Sequence, residues 1–527
     1  MRPPGGTELR AAIGLSLALA LAAMLGGCDR KPEHRVLVIG LDGATFDVVD
    51  PLLREGLMPN LARLQAAGSS HVLQTIVPAI SPPAWTSATT GVNPGKHNIF
   101  DFFHLSKTGP QPLLTSALDR RAHPVWHFLN QDGWRTALMN IPMTFPPDRV
   151  DGFFISGFPF GAATSGYTYP SALESEIQPY PLDLFGESIR AGHEGQLLAH
   201  FRSTFDRQAQ VAEQLMAEKP WDLFWIVFTG TDKVMHFYWK FADEDHPEYD
   251  PELAQQYGTA IRDMFVRADE EIGRLVAAAG PDVDVLVMSD HGMGPIYREL
   301  RLFNWMKEKG FLGSPASGAE IEAFPPGPFS GLVRVNEKGR DFRGAIHPGA
   351  EAEDVARRVR HGLEQLRDPD TGERFAERVM TREEVFHGPY TENAPDVLFQ
   401  EAPGLFVGRR PQDGSPDQND VFGLPSYSFS GFHRPTGIFV ASGPRFAQAS
   451  GRDTLSILDV APILYWLFDS AEPSDLDGEV PDSVVRPDSL AARPPRVDPG
   501  RLAVIPPDES FLSDEDRETL ESLSYVQ

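Results

Sequence analysis

The sequence has 527 residues, of which 41% are hydrophobic. It is long enough for about two to three domains' worth of structure and apolar enough for a large buried core. Its formal charge of −27 at pH 7 argues against a nucleic-acid polymer as partner, because binding to a polyanion depends on many lysine and arginine contacts. A small phosphate ester stays compatible with this charge, since bound divalent ions would make a site locally positive.

The first part of the chain has the pattern of an export signal. Arg2 and Arg10 precede an apolar run from Ala11 to Gly27. This run is short for a membrane-spanning helix and has the length of a signal-peptide core. We therefore predict that residues 1–27 are a signal peptide that directs the protein to the cell envelope.

The only cysteine of the chain ends this run. The segment Leu25-Gly26-Gly27-Cys28 resembles the bacterial lipobox, which implies a lipid on Cys28 and a tether over residues 28–34. The protein is then expected on a membrane of the bacterial envelope, facing the periplasm, and the resemblance implies from Asp29 that this is the inner membrane. The alternative is an ordinary signal peptide with an incidental cysteine. No internal disulfide is expected, because there is no second cysteine.

Apolar runs and amphipathic stretches alternate along the next part of the chain. Arg35 to Leu41 is predicted to be a buried strand and Pro59 to Ala67 a helix. Further strands are predicted over Thr136–Met139, Asp222–Phe228, Val283–Met288 and Ile438–Ala441. The clearest further helices are predicted over Phe201–Glu218, Ala254–Ala279, Glu351–Leu366 and Leu455–Phe468. Because strands alternate with helices, we predict an α/β fold with a doubly wound, mainly parallel sheet sandwiched by helices.

An inserted cap region and a C-terminal segment depart from this core pattern. The predicted boundaries are 35–300 for the first part of the core, 301–428 for the inserted cap, 429–470 for the final part of the core and 471–527 for the C-terminal segment. The C-terminal segment is rich in Pro and Asp, which favours extended surface structure, and it ends in a helix predicted over Ser513–Leu523. Residues 142–181, rich in Gly, Pro and Phe, are predicted to form part of a substrate wall.

Acidic and imidazole side chains lie close to the ends of the predicted strands. Asp42, Asp232 and Asp290 each follow an apolar run closely, and the carboxyl ends of strands are where α/β sheets place their ligands. His236 lies four residues after Asp232, so both can face one metal ion from a single helical turn. The candidate metal ligands are the carboxylates and imidazoles of Asp42, Asp232, His236, Asp290, His291 and His433, together with the hydroxyl of Ser81, which is also the candidate nucleophile.

Taken singly, these motifs allow simpler explanations. An Asp that caps a helix, a polar turn after a strand or a packed core histidine would account for each of them. Together, three carboxylates, three imidazoles and one hydroxyl suit two zinc-like ions with a nucleophile between them. The combination therefore predicts metal-assisted phosphoryl transfer.

Ser81 lies where a helix is predicted to begin. Pro82 fits the first position of a helix that continues over Ala84 to Thr90, so Ser81 is predicted to be its N-cap. The exposed N–H groups and the dipole of that helix would favour a phosphate there. The alternative is that Ser81 only caps the helix. A catalytic role also requires that the hydroxyl ionise, which metal coordination can bring about at neutral pH.

The order and spacing of these residues resemble the alkaline phosphatase superfamily, in particular its type I phosphodiesterase/nucleotide pyrophosphatase branch. The resemblance runs from about residue 35 to 470. Its supporting segments are Pro82–His97, Asp232–Trp239 and Ser430–Pro444. It implies an alkaline phosphatase-like fold with the inserted cap between parts of the core.

The resemblance also implies a role for each candidate residue. Asp232, His236 and His433 would bind one ion, and the ligands of the other would be Asp42, Asp290 and His291, with Ser81 next to it. The ions would be zinc, with manganese as the alternative, because sets rich in histidine favour zinc. Ser81 would attack phosphorus and form a phosphoserine. His97 would support its loop, and Lys96 would either contact an anion or be a solvated surface residue.

Departures from the family pattern concern specificity. Many nucleotide pyrophosphatases carry an Asn where this chain has Asp101 and Phe102, and many use Thr where it has Ser81. These differences weaken the case for a nucleotide substrate without affecting the ligand set. The sulfatase branch has x-Pro-x-Arg after its modified residue, and the absence of that Arg after Ser81 argues against a sulfatase.

We therefore expect a membrane-tethered periplasmic hydrolase of small phosphate esters, in the first place of phosphodiesters. One alternative is a transferase that passes the phosphoryl-linked group to a lipid or glycan acceptor, which anchoring at the bilayer would suit. A phosphomonoesterase would use the same residues. A non-catalytic envelope binding protein is the alternative from a different class, and the intact set of ligands and nucleophile argues against it.

Overall fold

The computed structural model describes residues 34–105, 109, 112–161, 163–183, 192–313, 320–327, 331–408, 419–425, 429–449 and 451–507. The predicted signal peptide (1–27), the lipidation site Cys28, the tether before residue 34 and the helix predicted over Ser513–Leu523 lie outside these residues. None of the helices in the described part of the chain combines the length and apolar character that a transmembrane helix requires.

Strands and helices alternate along most of the described chain. The strands are β1 (Val36–Leu41), β2 (Ser69–Gln74), β3 (Phe103–Leu105), β4 (Pro112–Leu114), β5 (Thr136–Met139), β6 (Gly152–Ile155), β7 (Thr168–Tyr169), β8 (Leu223–Phe228), β9 (Asp284–Met288), β10 (Gly292–Arg301), β11 (Ala323–Phe324), β12 (Leu332–Val335), β13 (Ala376–Thr381), β14 (Val397–Glu401), β15 (Gly404–Gly408), β16 (Phe422–Gly423), β17 (Gly431–Arg434), β18 (Thr436–Ser442), β19 (Thr454–Ser456), β20 (Glu472–Pro473) and β21 (Val497–Asp498). The helices are α1 (Phe46–Arg54), α2 (Pro59–Ala67), α3 (Ser81–Thr90), α4 (Pro94–His97), α5 (Val125–Gln131), α6 (Leu173–Glu176), α7 (Glu194–Glu218), α8 (Gly230–Ala242), α9 (Pro251–Tyr257), α10 (Ala260–Ala279), α11 (Leu302–Glu308), α12 (Ala350–Gln365), α13 (Arg382–Val385), α14 (Val460–Leu467) and α15 (Pro487–Ala492). Short 3₁₀ turns occur at Ala117–Asp119, Thr391–Asn393 and Ile457–Asp459.

The central sheet has nine strands in the order β19-β2-β18-β9-β1-β8-β5-β6-β7. The five strands from β9 to β6 are parallel to one another, whereas β18 runs antiparallel to both of its neighbours and β7 is antiparallel to β6. This mainly parallel α/β sheet confirms the predicted fold class.

Apolar cores lie on the two faces of the central sheet. Along β1, Leu37 and Ile39 face one core, and Val36 and Val38 face the other, as expected for side chains that alternate along a strand. Helices α7, α8 and α10 cover the first face, whereas α3, α5 and α14 cover the second. Because both faces are buried, the central strands consist of continuous apolar runs.

Two predicted helices differ from the observed ones. The stretch Ala254–Ala279 forms two helices, α9 and α10, which are separated at Gly258. A Cβ on Gly258 would lie 2.6 Å from the carbonyl oxygen of Ala254 and 2.9 Å from that of Phe241, so the chain turns where only glycine fits. The stretch predicted as a helix from Leu455 begins instead as strand β19, because this segment pairs with β2.

The region from 301 to 428 contains smaller sheets outside the central one. Strands β11, β12, β14 and β13 form a four-stranded sheet, and β15, β16 and β17 pair with β10. Trp305, Val333, Val359 and Phe399 belong to an apolar cluster that is separate from the two central cores. The division of the chain into core and inserted cap stays a prediction.

The described part of the C-terminal segment packs against the rest of the protein. Val484 and Val485 are fully buried in the core on the second face of the sheet, so this segment is not only the extended surface structure that its composition predicted. Within this segment, the carboxylate of Asp477 accepts hydrogen bonds from the side chains of Asn93, Lys96 and His387. One carboxylate thus connects the segment after α3 with the region around residue 387.

Replacement of this carboxylate tests its contribution to stability. Asp477→Asn should lower the free energy of unfolding by about 3 kcal/mol, because it leaves the partly buried Lys96 ammonium without its counterion. Urea unfolding at pH 7 measures the loss. Although burial opposes ionisation, the hydrogen bonds from Lys96 and Asn93 hold the pKa of the Asp477 carboxyl below its ordinary value. The stabilisation is therefore present above, and lost below, about pH 4.

The control is Asp488→Asn on α15, which removes an exposed partner of Arg486 and should leave the stability nearly unchanged, because solvent screens an exposed ion pair. Equal losses in the two variants would contradict the assigned role of Asp477.

Candidate active site

The three predicted acidic ligands lie at the ends of three neighbouring parallel strands. Strand β1 pairs with β8 on one side and β9 on the other, with Leu41 opposite Phe228 and Gly40 opposite Met288. The register therefore aligns the carboxyl ends of all three strands. Asp42 follows β1 directly, Asp290 follows β9, and Asp232 lies in the first turn of α8 after β8.

The predicted histidines reach this edge by different routes. His236 follows Asp232 by one turn on α8, and His291 follows Asp290. His433 is far away in sequence, but its strand β17 is antiparallel to β10, which starts directly after His291, and this pairing sets His433 opposite Met293. The structure thus brings together every histidine and carboxylate of the predicted set.

Asp232, His236 and His433 form one compact group. Their candidate ligand atoms lie within 4.8 Å of one another. The Nε2 atoms of His236 and His433 are 3.0 Å apart. Asp232 Oδ1 lies 3.3 Å from His236 Nε2 and 3.5 Å from His433 Nε2. Three ligand atoms that converge in this way could hold one metal ion.

A second group lies beside the first and shares a member with it. Asp42, Asp232 and His291 also have ligand atoms within 4.8 Å of one another. Asp290 Oδ2 lies 3.3 Å from His291 Nε2, and Asp42 Oδ1 lies 3.8 Å from the same atom. Asp232 therefore belongs to both groups, which the family resemblance did not imply.

Backbone contacts orient the side chains of the two groups. His236 Nδ1 donates a hydrogen bond to the Gly431 carbonyl at 2.8 Å, and His291 Nδ1 donates to that of Gly292 at 3.0 Å. In each ring this leaves Nε2 as the atom with the lone pair, which is the arrangement found in metal-binding histidines. Gly43, with φ of +68°, donates its N–H to Asp290 Oδ1 at 3.3 Å.

The donor chemistry of this cluster fits divalent metal ions. Asp42 Oδ1, Asp232 Oδ1 and Asp290 Oδ2 are buried without a hydrogen-bond donor. Among the described residues, no Lys or Arg forms an ion pair with any of these three carboxylates. Buried carboxylates are normally paired or coordinate a metal, so the cluster lacks positive charge that ions would supply.

Burial and mutual repulsion determine the protonation of these groups. Burial, together with Asp290 and Asp232, raises the pKa of the Asp42 carboxyl well above its ordinary value. Burial also raises the pKa of Asp290 to about 7. Burial and the neighbouring His291 lower the pKa of His433 to about 3, so its imidazole is neutral at pH 7, which is the form that binds metals.

Ser81 lies at the edge of the second group. Its side chain is 97% buried, and its Oγ lies 3.3 Å from His291 Nε2. The predicted N-cap role is wrong: Ile80 is the N-cap and Ser81 is the first residue of α3. Pro82 and Pro83 follow and have no N–H, so the helix offers a phosphate fewer backbone donors than its N-terminus suggested. Positive charge for a phosphate beside Ser81 would therefore have to come mainly from metal ions held by the cluster.

Sequence reasoning assigned no role to several side chains that hold the cluster in place. The Trp85 indole N–H donates to Asp42 Oδ2 at 3.0 Å, and Thr231 Oγ1 donates to the Asp42 carbonyl at 2.7 Å. Ser289 Oγ donates to the carbonyl of Ala44 at 2.8 Å. Thr231 and Ser289 each directly precede a predicted ligand, which is the only local signal of their contribution.

The two basic residues near the end of the Pro82–His97 segment have structural roles. The His97 ring is fully buried: its Nε2 lies 2.9 Å from Ser87 Oγ and its Nδ1 accepts the N–H of Ile99, so it supports the loop as expected. Burial lowers its pKa to about 3. Lys96 is neither solvated nor free for an anion, because it forms a mostly buried ion pair with Asp477.

A narrow cleft leads away from the cluster at His433. Its volume is about 40 Å³, and residues 76–80, Gly331, 399–401 and 432–435 line it. The cleft therefore lies between the segment before Ser81 and strands of the region from 301 to 428. Burial raises the pKa of Glu401, in this cleft, to about 7.

The fold and the cluster together define an alkaline phosphatase-like hydrolase of phosphate esters. Comparison with protein families matches residues 36–433 to the family described as type I phosphodiesterase/nucleotide pyrophosphatase. The match covers more than half of the chain, so the protein belongs to this family and is a phosphodiesterase/pyrophosphatase-type hydrolase. A sequence comparison with curated proteins gave no significant match.

Solved structures share the fold at low sequence identity. Murine ectonucleotide pyrophosphatase/phosphodiesterase 5, solved as an inactive variant in complex with AMP, is 16% identical, with a TM-score of 0.51 over 83% of this chain and 96% of the other. The human protein of the same name is 14% identical over 85% and 97%, with a TM-score of 0.51. Phosphonoacetate hydrolase from Sinorhizobium meliloti, in complex with phosphonoformate, is 14% identical over 83% and 96%, again with a TM-score of 0.51.

Metal loading tests the cluster. We expect the wild-type chain, exposed to zinc and then dialysed, to retain two ions per chain, and His433→Ala to retain fewer, because it removes one of three converging ligand atoms. Elemental analysis by mass spectrometry gives the metal content. His127→Ala is the control, since this histidine stacks on His123 outside the cluster. Equal zinc content in all three proteins would contradict a metal site at His433.

Proposed function

We propose that the protein is a membrane-tethered, two-metal phosphodiesterase of the bacterial envelope in which Ser81 is the nucleophile. The observation that carries this proposal is the 3.3 Å distance between Ser81 Oγ and His291 Nε2, which places a buried hydroxyl directly beside the carboxylate and imidazole cluster. Membership in the type I phosphodiesterase/nucleotide pyrophosphatase family supports a phosphodiester as substrate.

The residues of the cluster divide between two ions in this proposal. Asp232, His236 and His433 would hold one, and Asp42, Asp290 and His291 the other, with Asp232 close to both. When bound, divalent ions supply the positive charge that lets a hydroxyl ionise near neutral pH and that stabilises phosphoryl oxygens. Zinc is the proposed metal, because three of the six ligands are imidazoles, and manganese is the alternative.

The reaction consists of two displacements at phosphorus. In the first, Ser81 Oγ attacks as its proton passes to water; the P–Oγ bond forms, the bond from phosphorus to the ester oxygen of the leaving group breaks, and that oxygen takes up a proton from water and departs as an alcohol. The phosphoserine formed from a diester keeps its second ester group. In the second displacement, water attacks phosphorus, the P–Oγ bond breaks, and a proton returns to Oγ, which restores the hydroxyl and releases a phosphomonoester. Because Ser81 is the first residue of α3, the helix dipole adds favourable electrostatics for the phosphoryl group, while Pro82 and Pro83 fix the start of the helix.

The cellular setting is part of the same proposal. The signal-peptide pattern of residues 1–27 and the lipobox-like segment ending at Cys28 support export and lipid anchoring, with the enzyme facing the periplasm. A small phosphate ester is then the substrate class, and AMP, the ligand named for one of the related structures, is such an ester. The cleft beside His433 would receive the group esterified to the phosphoryl.

A serine variant tests the covalent mechanism. Ser81→Ala should keep the zinc content of the wild type yet lose turnover by about 10³-fold or more, because the nucleophile is removed while the ligands stay. The control is Thr90→Ala, which removes a buried hydroxyl from the far end of α3, where it donates only to the Thr86 carbonyl. Turnover of Ser81→Ala near the wild-type rate would show that a water molecule, not Ser81, attacks phosphorus.

The substrate class is tested with chromogenic esters. The full-length chain, purified in mild detergent and loaded with zinc, should hydrolyse bis-p-nitrophenyl phosphate faster than p-nitrophenyl phosphate, leave p-nitrophenyl sulfate intact, and lose activity with a chelator. Preference for the monoester would make it a phosphatase. Ester products formed only with an added lipid or glycan acceptor would make it a transferase, and bound metal without any turnover would contradict a hydrolase of simple diesters.

A further inference from the structure

Trp85 lies between the nucleophile and one of the candidate metal ligands. It follows Ser81 by four residues on α3, so both side chains lie on the same side of the helix, one turn apart. The indole is fully buried, and its N–H donates to Asp42 Oδ2 at 3.0 Å. A single side chain thus connects the helix of the proposed nucleophile with strand β1.

The position of the indole is fixed from the opposite side as well. A Cβ on Gly40 would lie 2.6 Å from Trp85 Cη2 and 2.8 Å from Val227 Cγ2, so the ring packs directly on the backbone of β1, where only glycine leaves room. Gly40 is two residues before Asp42. The ring therefore cannot shift towards the strand, and its N–H stays directed at the carboxylate.

The two carboxylate oxygens of Asp42 differ in their hydrogen bonding. Oδ2 accepts the indole N–H, whereas Oδ1 is buried, has no hydrogen-bond donor, and lies 3.8 Å from His291 Nε2. A hydrogen bond to one carboxylate oxygen leaves the other directed at the cluster. Hydrogen bonds of this kind to ligand side chains commonly determine metal affinity.

We propose that Trp85 is a positioning residue that orients Asp42 towards a metal ion and holds that ion at a fixed place relative to Ser81. This inference rests on the proposed two-metal function. It gives a reason for an indole, rather than any large apolar side chain, at this position of α3. A ring without the N–H would fill the same core but leave Asp42 free to rotate.

The chain offers a closely matched control. Trp126 is buried in the same apolar core, and its indole N–H donates to Asp148 Oδ2 at 2.8 Å, outside the cluster. Trp126→Phe and Trp85→Phe therefore remove the same kind of indole-to-carboxylate hydrogen bond. Both variants should lose stability in urea unfolding without metal, whereas only Trp85→Phe should lose zinc affinity.

Zinc affinity is measured on the full-length chain in competition with a chromophoric chelator. Trp85→Phe should bind one of its two zinc ions about 10- to 100-fold less tightly than the wild type, and Trp126→Phe should bind both as the wild type does. Gly40→Ala provides a second approach, because it keeps the indole N–H but pushes the ring away from β1, and it should weaken zinc binding as well.

The outcomes separate the inference from the function on which it rests. If the wild type binds two zinc ions and Trp85→Phe binds them equally tightly, the role of Trp85 is overturned while the metal site stands. Equal losses in Trp85→Phe and Trp126→Phe would likewise overturn it, since a general loss of core stability would then explain both. A wild-type chain that binds no zinc would overturn the two-metal site and the role of Trp85 together.

Discussion

Crowding of negative charge at one edge of the central sheet is the constraint on which the rest of this structure depends. The parallel register of β9, β1 and β8 brings Asp290, Asp42 and Asp232 to the same edge. At 4.8 Å, the upper limit on the separation of the Asp42 and Asp232 ligand atoms, two unit charges would repel each other by about 3.5 kcal/mol at an effective dielectric constant of 20. No lysine or arginine of the described chain pairs with the three carboxylates, so bound cations could offset this repulsion.

The histidines extend the same arrangement without adding charge. Burial lowers the pKa of both His291 and His433, which favours the neutral imidazoles that provide lone pairs. The antiparallel pairing of β10 with β17 places His433 against the other ligands, and Arg434 strengthens that corner by donating to the carbonyls of Pro295 and His433. Backbone geometry thus holds the candidate site, and fixed distances of this kind are what displacement reactions require.

Segments outside the central sheet complete the surroundings of the site. Strand β14 contributes Glu401 to the cleft that opens at His433, so the region from 301 to 428 contacts whatever the cleft receives. The C-terminal segment connects this region to the core through Asp477, which binds Asn93, Lys96 and His387. Parts of the chain that are far from the candidate ligands in sequence are therefore connected to one another by this carboxylate.

The local hydrophobic pattern of the sequence was sufficient to predict those strands and helices that are defined by continuous burial. The bounds of β5 and α2 agree with prediction, because an apolar run or a helical period reports directly on how a segment is buried. The identities of the candidate ligands also followed from sequence, since the carboxylates lie just beyond such runs. Family resemblance supplied the pairing of those residues into two sets.

Contacts between residues far apart in sequence determined the features that the local pattern predicted wrongly. Strand β19 pairs with β2 although its sequence predicts a helix, and Lys96 is buried against a carboxylate 381 residues away. Ser81 became the first residue of its helix rather than its cap because Ile80 supplies the capping backbone. The sequence by itself determined which chemical groups this protein carries at its strand ends. Only the tertiary structure decided their distances and partners, such as the contact of Trp85 with Asp42, because these depend on the register of distant strands.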